Sequence, residues 1–244
     1  RLIELEIPSY KAYCDFVFSK EGQQSEIIPL MDVISTNKTD FFRENSHFDF
    51  LIHHIFHSEV YKNKNIRIWS AGSSSGEEAY TLAMVMMDLL EKGKVKDFSI
   101  YGSDISTKVL NIAAKAIYPY QASNEIPEHY RKKYLLKSKD GKHIRIVKDL
   151  RTKVHFSRLN LMDDHYPFNA PFDLVFCRNT LIYFTKQTQE SVINKVLNHM
   201  DIGGHLVIGH SESLLNMDLP AERIKATIYK KLPHIESQKK EELK

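Results

Sequence analysis

The chain has 244 residues, 42% of them hydrophobic and 27% charged, with 34 Lys and Arg against 31 Asp and Glu. That length buries a full core, which excludes disorder as the main state, and a net charge of only +3 with both signs interspersed argues against nucleic acid as the principal partner. Two cysteines, Cys14 and Cys177, give no disulfide framework and fit a reducing cytoplasm, and no apolar stretch is long enough to insert into a bilayer. A chain opening on Arg1 rather than Met is expected to begin inside a longer natural protein.

Residues 1–57 carry mixed apolar positions such as Leu5, Tyr13, Val17, Ile27 and Val33, which predict short helices forming an N-terminal helical domain. From residue 66 strand-like and helical runs alternate: "IRIWS", a helix over 76–91, "FSIYGSD", a helix over 106–117, "VHFSRLNL", "FDLVFCRN", a helix over 185–200 and "GGHLVIGH". The pattern predicts an α/β fold over 58–232: a doubly wound, mostly parallel sheet with helices on both faces. In the helix over 76–91, Ala79, Leu82, Ala83, Met86, Leu89 and Leu90 form one apolar face, and Met84, Met86 and Met87 read as core filler. Ser74 and Ser75 each precede a glutamate by three residues, so two capping boxes are expected to open it.

Between about residues 122 and 151 the alternation is interrupted by a charged segment containing Asp140-Gly141, an inserted antiparallel β-hairpin. Its basic residues read as a solvated face ahead of a docking surface for a protein partner. Residues 233–244 form a polar tail expected to fray.

A ligand of a doubly wound sheet sits beyond the carboxyl ends of its strands. The turn "GSSSGEE" there lacks the Lys of a phosphate-binding loop and the third glycine of a dinucleotide fingerprint. Two glutamates stand where a helix start would attract phosphate, so an acidic pocket for a ligand carrying positive charge is expected, with Glu77 capping and Glu78 touching the ligand. Asp104, ending "FSIYGSD", suits two ribose hydroxyls, or else caps the helix that follows. S-adenosylmethionine meets both demands. His53 and His57 lie one helical turn apart but lack a third ligand, so no metal site is read. "GHSES" lacks a nucleophile elbow and is taken as a strand end near the pocket.

The segments "STNKTDFFRE", "RIWSAGSSSGEEAYTLAM", "YGSDIS", "FSRLNL", "FDLVFCRNTLIYF" and "GGHLVIGHSESL", in this order, resemble the chemotaxis receptor methyltransferases of the CheR family. The resemblance covers residues 34–229. It implies a class I methyltransferase, Rossmann-like fold, with S-adenosyl-L-methionine as cofactor and S-adenosyl-L-homocysteine as product. It also implies a monomeric cytoplasmic enzyme methylating glutamate side chains on the cytoplasmic part of methyl-accepting chemotaxis receptors. Carried over by position, Asn37, Thr39 and Arg43 contact the cofactor and approach the reacting centre, and Glu78 and Asp104 contact the cofactor. Asn160 and Leu161 stand on the adenine side, Arg178 and Asn179 form a further cofactor-binding pair, and Tyr183 lines the methyl-transfer site. Ala79 stands where the family often has proline, and the family's further basic helices before the position of Arg1 are missing. The alternatives are a non-catalytic domain that holds the cofactor or its product and docks to a receptor, and a dinucleotide enzyme. Arg43, with its planar fork, and Tyr183 are the expected catalytic residues.

Overall fold

The computed structural model describes residues 1–34 and 37–233. Short helices open it: α1 (Tyr10–Val17), α2 (Lys20–Ser25), α3 (Ile27–Ile34) and α4 (Ser46–Phe50), the last running into a π-helical turn, Leu51–Ile55. Serine hydroxyls start the first two, Ser9 accepting from the amide of Ala12 and Ser19 from that of Gly22. There follow β1 (Asn65–Ala71), α5 (Glu77–Glu91), β2 (Asp97–Asp104), α6 (Thr107–Lys115), β3 (Ile117–Pro119), α7 (Glu128–Tyr134), β4 (Leu135–Lys137) and β5 (His143–Ile146). The chain continues through α8 (Lys148–Arg151), β6 (Val154–Arg158), β7 (Phe172–Cys177), α9 (Lys186–Asn198), β8 (Met200–Ile208), β9 (Ala221–Lys225) and β10 (Ile228–Lys231).

The main sheet has seven strands in the order β6-β2-β1-β7-β8-β10-β9. The five from β6 to β8 are parallel, and β10 returns antiparallel between β8 and β9. Chain order reverses direction between β1 and β7, which makes the crevice above their carboxyl ends the place where such a sheet binds ligands. Alternating side chains give the sheet two dry faces. Ile66 and Ile68 of β1 pack with Phe98, Ile100, Leu174 and Phe176 on one face, and Trp69 and Ala71 with Phe172, Val175 and Cys177 on the other.

The first face is covered by α5 and by residues 41–56, whose Phe41, Phe42, Phe48, Leu51 and Phe56 are all buried. Consequently α5 is buried almost all round from Glu77 to Met86 rather than along one stripe, with Met84 and Met86 in the core as expected. The expected capping boxes do not form. The N-cap is Gly76 at φ +93°, with no side-chain cap, because the turn before it is left-handed at Gly72 and Ser74 as well. A Cβ at Gly76 would also come within 2.8 Å of Ala113.

The insertion is larger than a hairpin: β3 pairs with β5, which pairs with β4, in a three-stranded antiparallel sheet carrying α7. The strands β9 and β10 were not expected from the sequence either. His53 and His57 face solvent. Among the described residues no helix is long and apolar enough to cross a membrane. Of the expected polar tail, residues 234–244 lie outside the described residues.

Candidate functional site

The turn after β1 is held by backbone: the amides of Gly72 and Ser73 both donate to the carbonyl of Ser103 at 2.8 Å. The amide of Ser74 donates to Asp104 Oδ2 at 2.9 Å, and the Ser74 hydroxyl donates to the carbonyl of Asn37. Asp104 Oδ1 accepts from the amide of Ser106, which is the N-cap of α6 in place of Asp104 itself. Burial raises the Asp104 pKa, opposed by these backbone N–H groups. Above the turn lies a cavity of about 530 Å³. Asn37, Thr39, Arg43, Glu78, Asp104, Asn160, Leu161, Arg178, Asn179 and Tyr183, all the residues expected from the sequence, line it. Ile105, Leu159 and Met162 add an apolar wall beside Asn160, whose Oδ1 accepts from the amide of Met162.

The expected acidic character is corrected by the structure. Glu78 Oε1 accepts from the Ser70 hydroxyl at 2.6 Å, and Oε2 accepts from Arg178 Nε at 2.7 Å. The lining thus carries Lys38, Arg43 and Arg178 against Glu78 and Asp104. What disfavours a phosphate here is that the chain's own carboxylates, Glu77 and Glu78, already occupy the helix start. Glu77 caps nothing through Ser74; it accepts from the Ser75 hydroxyl at 2.7 Å, and burial pushes its pKa up to about 7.

Arg178 is buried, and beyond its Nε bond to Glu78 its Nη1 donates to the carbonyl of Arg43 at 2.7 Å and reaches His47 Nδ1 at 3.1 Å. A guanidinium can only donate, so Nδ1 is the acceptor and the ring proton sits on Nε2, 2.8 Å from the Thr227 hydroxyl. Burial, followed by the charge of Arg178, lowers the His47 pKa to about 4. A carboxylate of Glu44 lies 3.5 Å from Nδ1, but an imidazolium could not accept from Arg178, so the ring is neutral. Glu44, His47 and His210 approach a metal-ligand cluster, yet Arg178 occupies the His47 lone pair and stands 3.5 Å from Glu44.

Neutral burial of His47 has a pH signature. Below about 6.5 the unfolded ring binds a proton that the folded one refuses until about 4, so stability is full above 6.5 and falls as pH drops through that window. At about 1.4 kcal/mol per pKa unit the loss is on the order of 3 kcal/mol. Urea unfolding of wild type and His47→Gln at pH 7 and pH 5 isolates this contribution, because Glu77 and His205 titrate in both proteins: the wild type is expected to lose about 2 kcal/mol more than the variant over that interval, and an equal change in the two removes the assignment.

The mouth of the cavity is framed by two segments. Residues 37–43 lie between α3 and α4, with Arg43 Nη1 donating to the carbonyl of Lys38 rather than pairing with Asp40 or Glu44. Residues 178–183 follow β7, and Tyr183 is 60% exposed at the rim on a 3₁₀ turn, Leu181–Tyr183. Glu44 spans the two, accepting from the Asn179 side chain at 3.4 Å and the amide of His210 at 3.2 Å. His47, Glu44, Thr180 and Glu212 were not picked out by sequence reasoning. Glu44 and Thr180 lie inside the quoted segments "STNKTDFFRE" and "FDLVFCRNTLIYF" and Glu212 inside "GHSES", which does end beside the cavity; His47 had no such signal.

A phosphate-free nucleoside fits these residues. A carboxylate offers about four acceptor positions, and the two backbone amides on Asp104 leave others for vicinal hydroxyls. The apolar wall of Ile105, Leu159, Leu161 and Met162 suits a flat base, and the paired Glu78 and Arg178 suit a zwitterionic amino-acid end. A doubly wound sheet of this strand order, with such a pocket at its reversal point, has the architecture of a class I methyltransferase and a site suited to S-adenosylmethionine.

Comparison with known proteins narrows the class. The family described as CheR methyltransferase, SAM binding domain, matches residues 37–230. A chemotaxis protein methyltransferase of Borreliella burgdorferi is 40% identical over 93% of this chain and 82% of its own length. A probable chemotaxis protein methyltransferase of Rhizobium etli is 34% identical over 85% of this chain and 79% of its own. The chain belongs to the CheR methyltransferase family. Among solved structures, magnesium protoporphyrin IX methyltransferase from Synechocystis PCC 6803 with bound SAH has 15% identity and a TM-score of 0.39 over 81% of this chain and 70% of that one, too loose a likeness to argue from.

Proposed function

We propose that the chain transfers the methyl group of S-adenosylmethionine to glutamate side chains on the cytoplasmic part of methyl-accepting chemotaxis receptors, as a cytoplasmic monomer. Family membership, and relatives that are chemotaxis protein methyltransferases, support a chemoreceptor substrate. The observation that carries the chemistry is the cavity mouth: Arg43 and Tyr183 both line it, above a floor formed by Asp104 and the Glu78–Arg178 pair.

When bound, S-adenosylmethionine supplies an electrophilic methyl group. Asp104 would hold its ribose, Asn160 and Leu161 its base, and Asn37, Thr39, Glu78, Arg178 and Asn179 the remainder. The acceptor needs no general base, because a glutamate side chain with a pKa near about 4.3 is already ionised at neutral pH. The protein's task is alignment and drying. Arg43 presents a planar fork that would orient an incoming carboxylate, and Tyr183, exposed at the rim, would shield the reacting atoms from water once cofactor and acceptor are bound. Correct alignment in such reactions is worth roughly 7–11 kcal/mol, so small displacements at the mouth are costly.

Radiolabelled methyl transfer to receptor cytoplasmic fragments, with label released as methanol by mild alkali, tests the reading. Tight product binding without transfer would turn it into a non-catalytic domain. Arg43→Ala is expected to lower kcat by roughly 10²-fold while KM for the cofactor changes little, since the side chain acts on the acceptor. Unchanged kcat with a raised cofactor KM would reassign Arg43 to cofactor binding alone.

A further inference from the structure

The segment "GHSES" contains a carboxylate that touches neither cavity nor solvent. Glu212 is 7% exposed, and each of its polar contacts is a backbone donor. Oε1 accepts from the amide of Leu181 at 2.7 Å, while Oε2 accepts from Asn179 at 2.9 Å and from Gly209 at 2.6 Å. Burial raises its pKa, and the N–H groups of Gly209, Asn179, Leu181 and Thr180 oppose that rise. Only a deprotonated carboxylate, which accepts at every lone pair, satisfies such a set.

These donors belong to the segments that leave the carboxyl ends of β7 and β8. The first needs an anchor, because Asn179 is held in the left-handed region at φ +56° between Arg178, which grips the cavity floor, and the turn that bears Tyr183. Close packing confirms how little room the clamp has. A Cβ on Gly209 would lie 2.9 Å from the Asn179 amide nitrogen and 3.0 Å from Glu212 Oε2.

We propose that Glu212 is a positioning residue for methyl transfer: its buried carboxylate gathers the amides of Asn179, Leu181 and Gly209 and so sets the register in which Arg178, Asn179 and Tyr183 meet the cavity. The inference rests on the cofactor-site reading above but acts through the protein's own backbone, so it can be measured with the cavity empty. In the full chain, Glu212→Gln turns an acceptor-only group into an amide that must aim its NH₂ at backbone donors.

At a temperature where circular dichroism reports a fully folded variant, amide exchange at Asn179, Leu181 and Gly209 is expected to accelerate at least 10-fold without cofactor. Exchange in the middle of β1 and β7 is expected to stay as in the wild type. Calorimetry with S-adenosylhomocysteine is expected to show at least 10-fold weaker binding, whereas a merely structural loss would lower the melting temperature and leave affinity in the folded state unchanged. If Glu212→Gln does not fold, Glu212→Asp keeps the charge, withdraws it by one methylene, and is read the same way. Unchanged exchange at the three amides, or affinity within twofold of wild type, overturns the proposal. A wild type that does not bind S-adenosylhomocysteine, with exchange accelerated in the variant, would leave the clamp standing and sink the cofactor reading instead.

Discussion

Arg178→Leu is expected to lower the melting temperature by roughly 10 °C and to abolish measurable S-adenosylhomocysteine binding. Glu78 is 8% exposed, and its side chain has Arg178 as its ion-pair partner. Removing one member of a buried pair leaves an uncompensated charge and costs about 3–5 kcal/mol, which for a chain of this size shifts melting by roughly 2–4 °C per kcal/mol. The same substitution frees the carbonyl of Arg43 and the lone pair of His47, so residues 43–47 lose their tie to the sheet. The informative comparison is the double variant Glu78→Gln with Arg178→Met. Replacing both charges is expected to recover most of the stability, since a neutral pair leaves no orphan charge, without restoring product binding. Calorimetry and thermal melts of the three proteins check this. A single variant melting within about 2 °C of wild type would mean that the pair carries little.

Asp104→Ala is expected to weaken S-adenosylhomocysteine binding by roughly 10²-fold or more with a smaller effect on folding. Hydrogen bonds to a charged acceptor contribute about 1.5–3 kcal/mol each, and two ribose hydroxyls would share this carboxylate. The variant also releases the amides of Ser74 and Ser106, so the turn after β1 and the start of α6 loosen together. Asp104→Asn separates the effects, because an amide retains one acceptor oxygen for a backbone N–H yet presents donors to the hydroxyls. Affinity for adenosine, which lacks the amino-acid end, should fall as steeply as affinity for the whole product. If adenosine binding is untouched, Asp104 does not hold the ribose.

Local pattern carried much of this into view. The alternation of β1, α5, β2 and β7 was legible because each is an apolar run bounded by small residues, whereas the strand order, and with it the reversal point between β1 and β7, came only from the structure. The strands β9 and β10 escaped because both are short and carry charged residues, β9 being the exposed edge of the sheet. Strand β3 escaped because it has three residues and ends in proline. At the site, residue types were legible but their pairings were not. Nothing in the spacing of "GEE" announces that Glu78 meets a guanidinium 100 positions away, nor that His47 seats that guanidinium. The capping boxes failed for the same reason: Gly76 and Ser74 take left-handed conformations imposed by contacts with β2 and α6, and serine spacing alone cannot register them.

The burial of α5 on nearly every side has a consequence for how the polypeptide is made. Its apolar shell is shared among Phe41 to Phe56 upstream, Tyr118 to Leu150 in the insertion, and Leu174, Phe176 and Val207 far downstream. During synthesis this greasy rod therefore leaves the ribosome well before its last neighbours exist, and stays partly naked until β8 has emerged. The nascent chain is most prone to aggregate, and most in need of chaperones, during that interval.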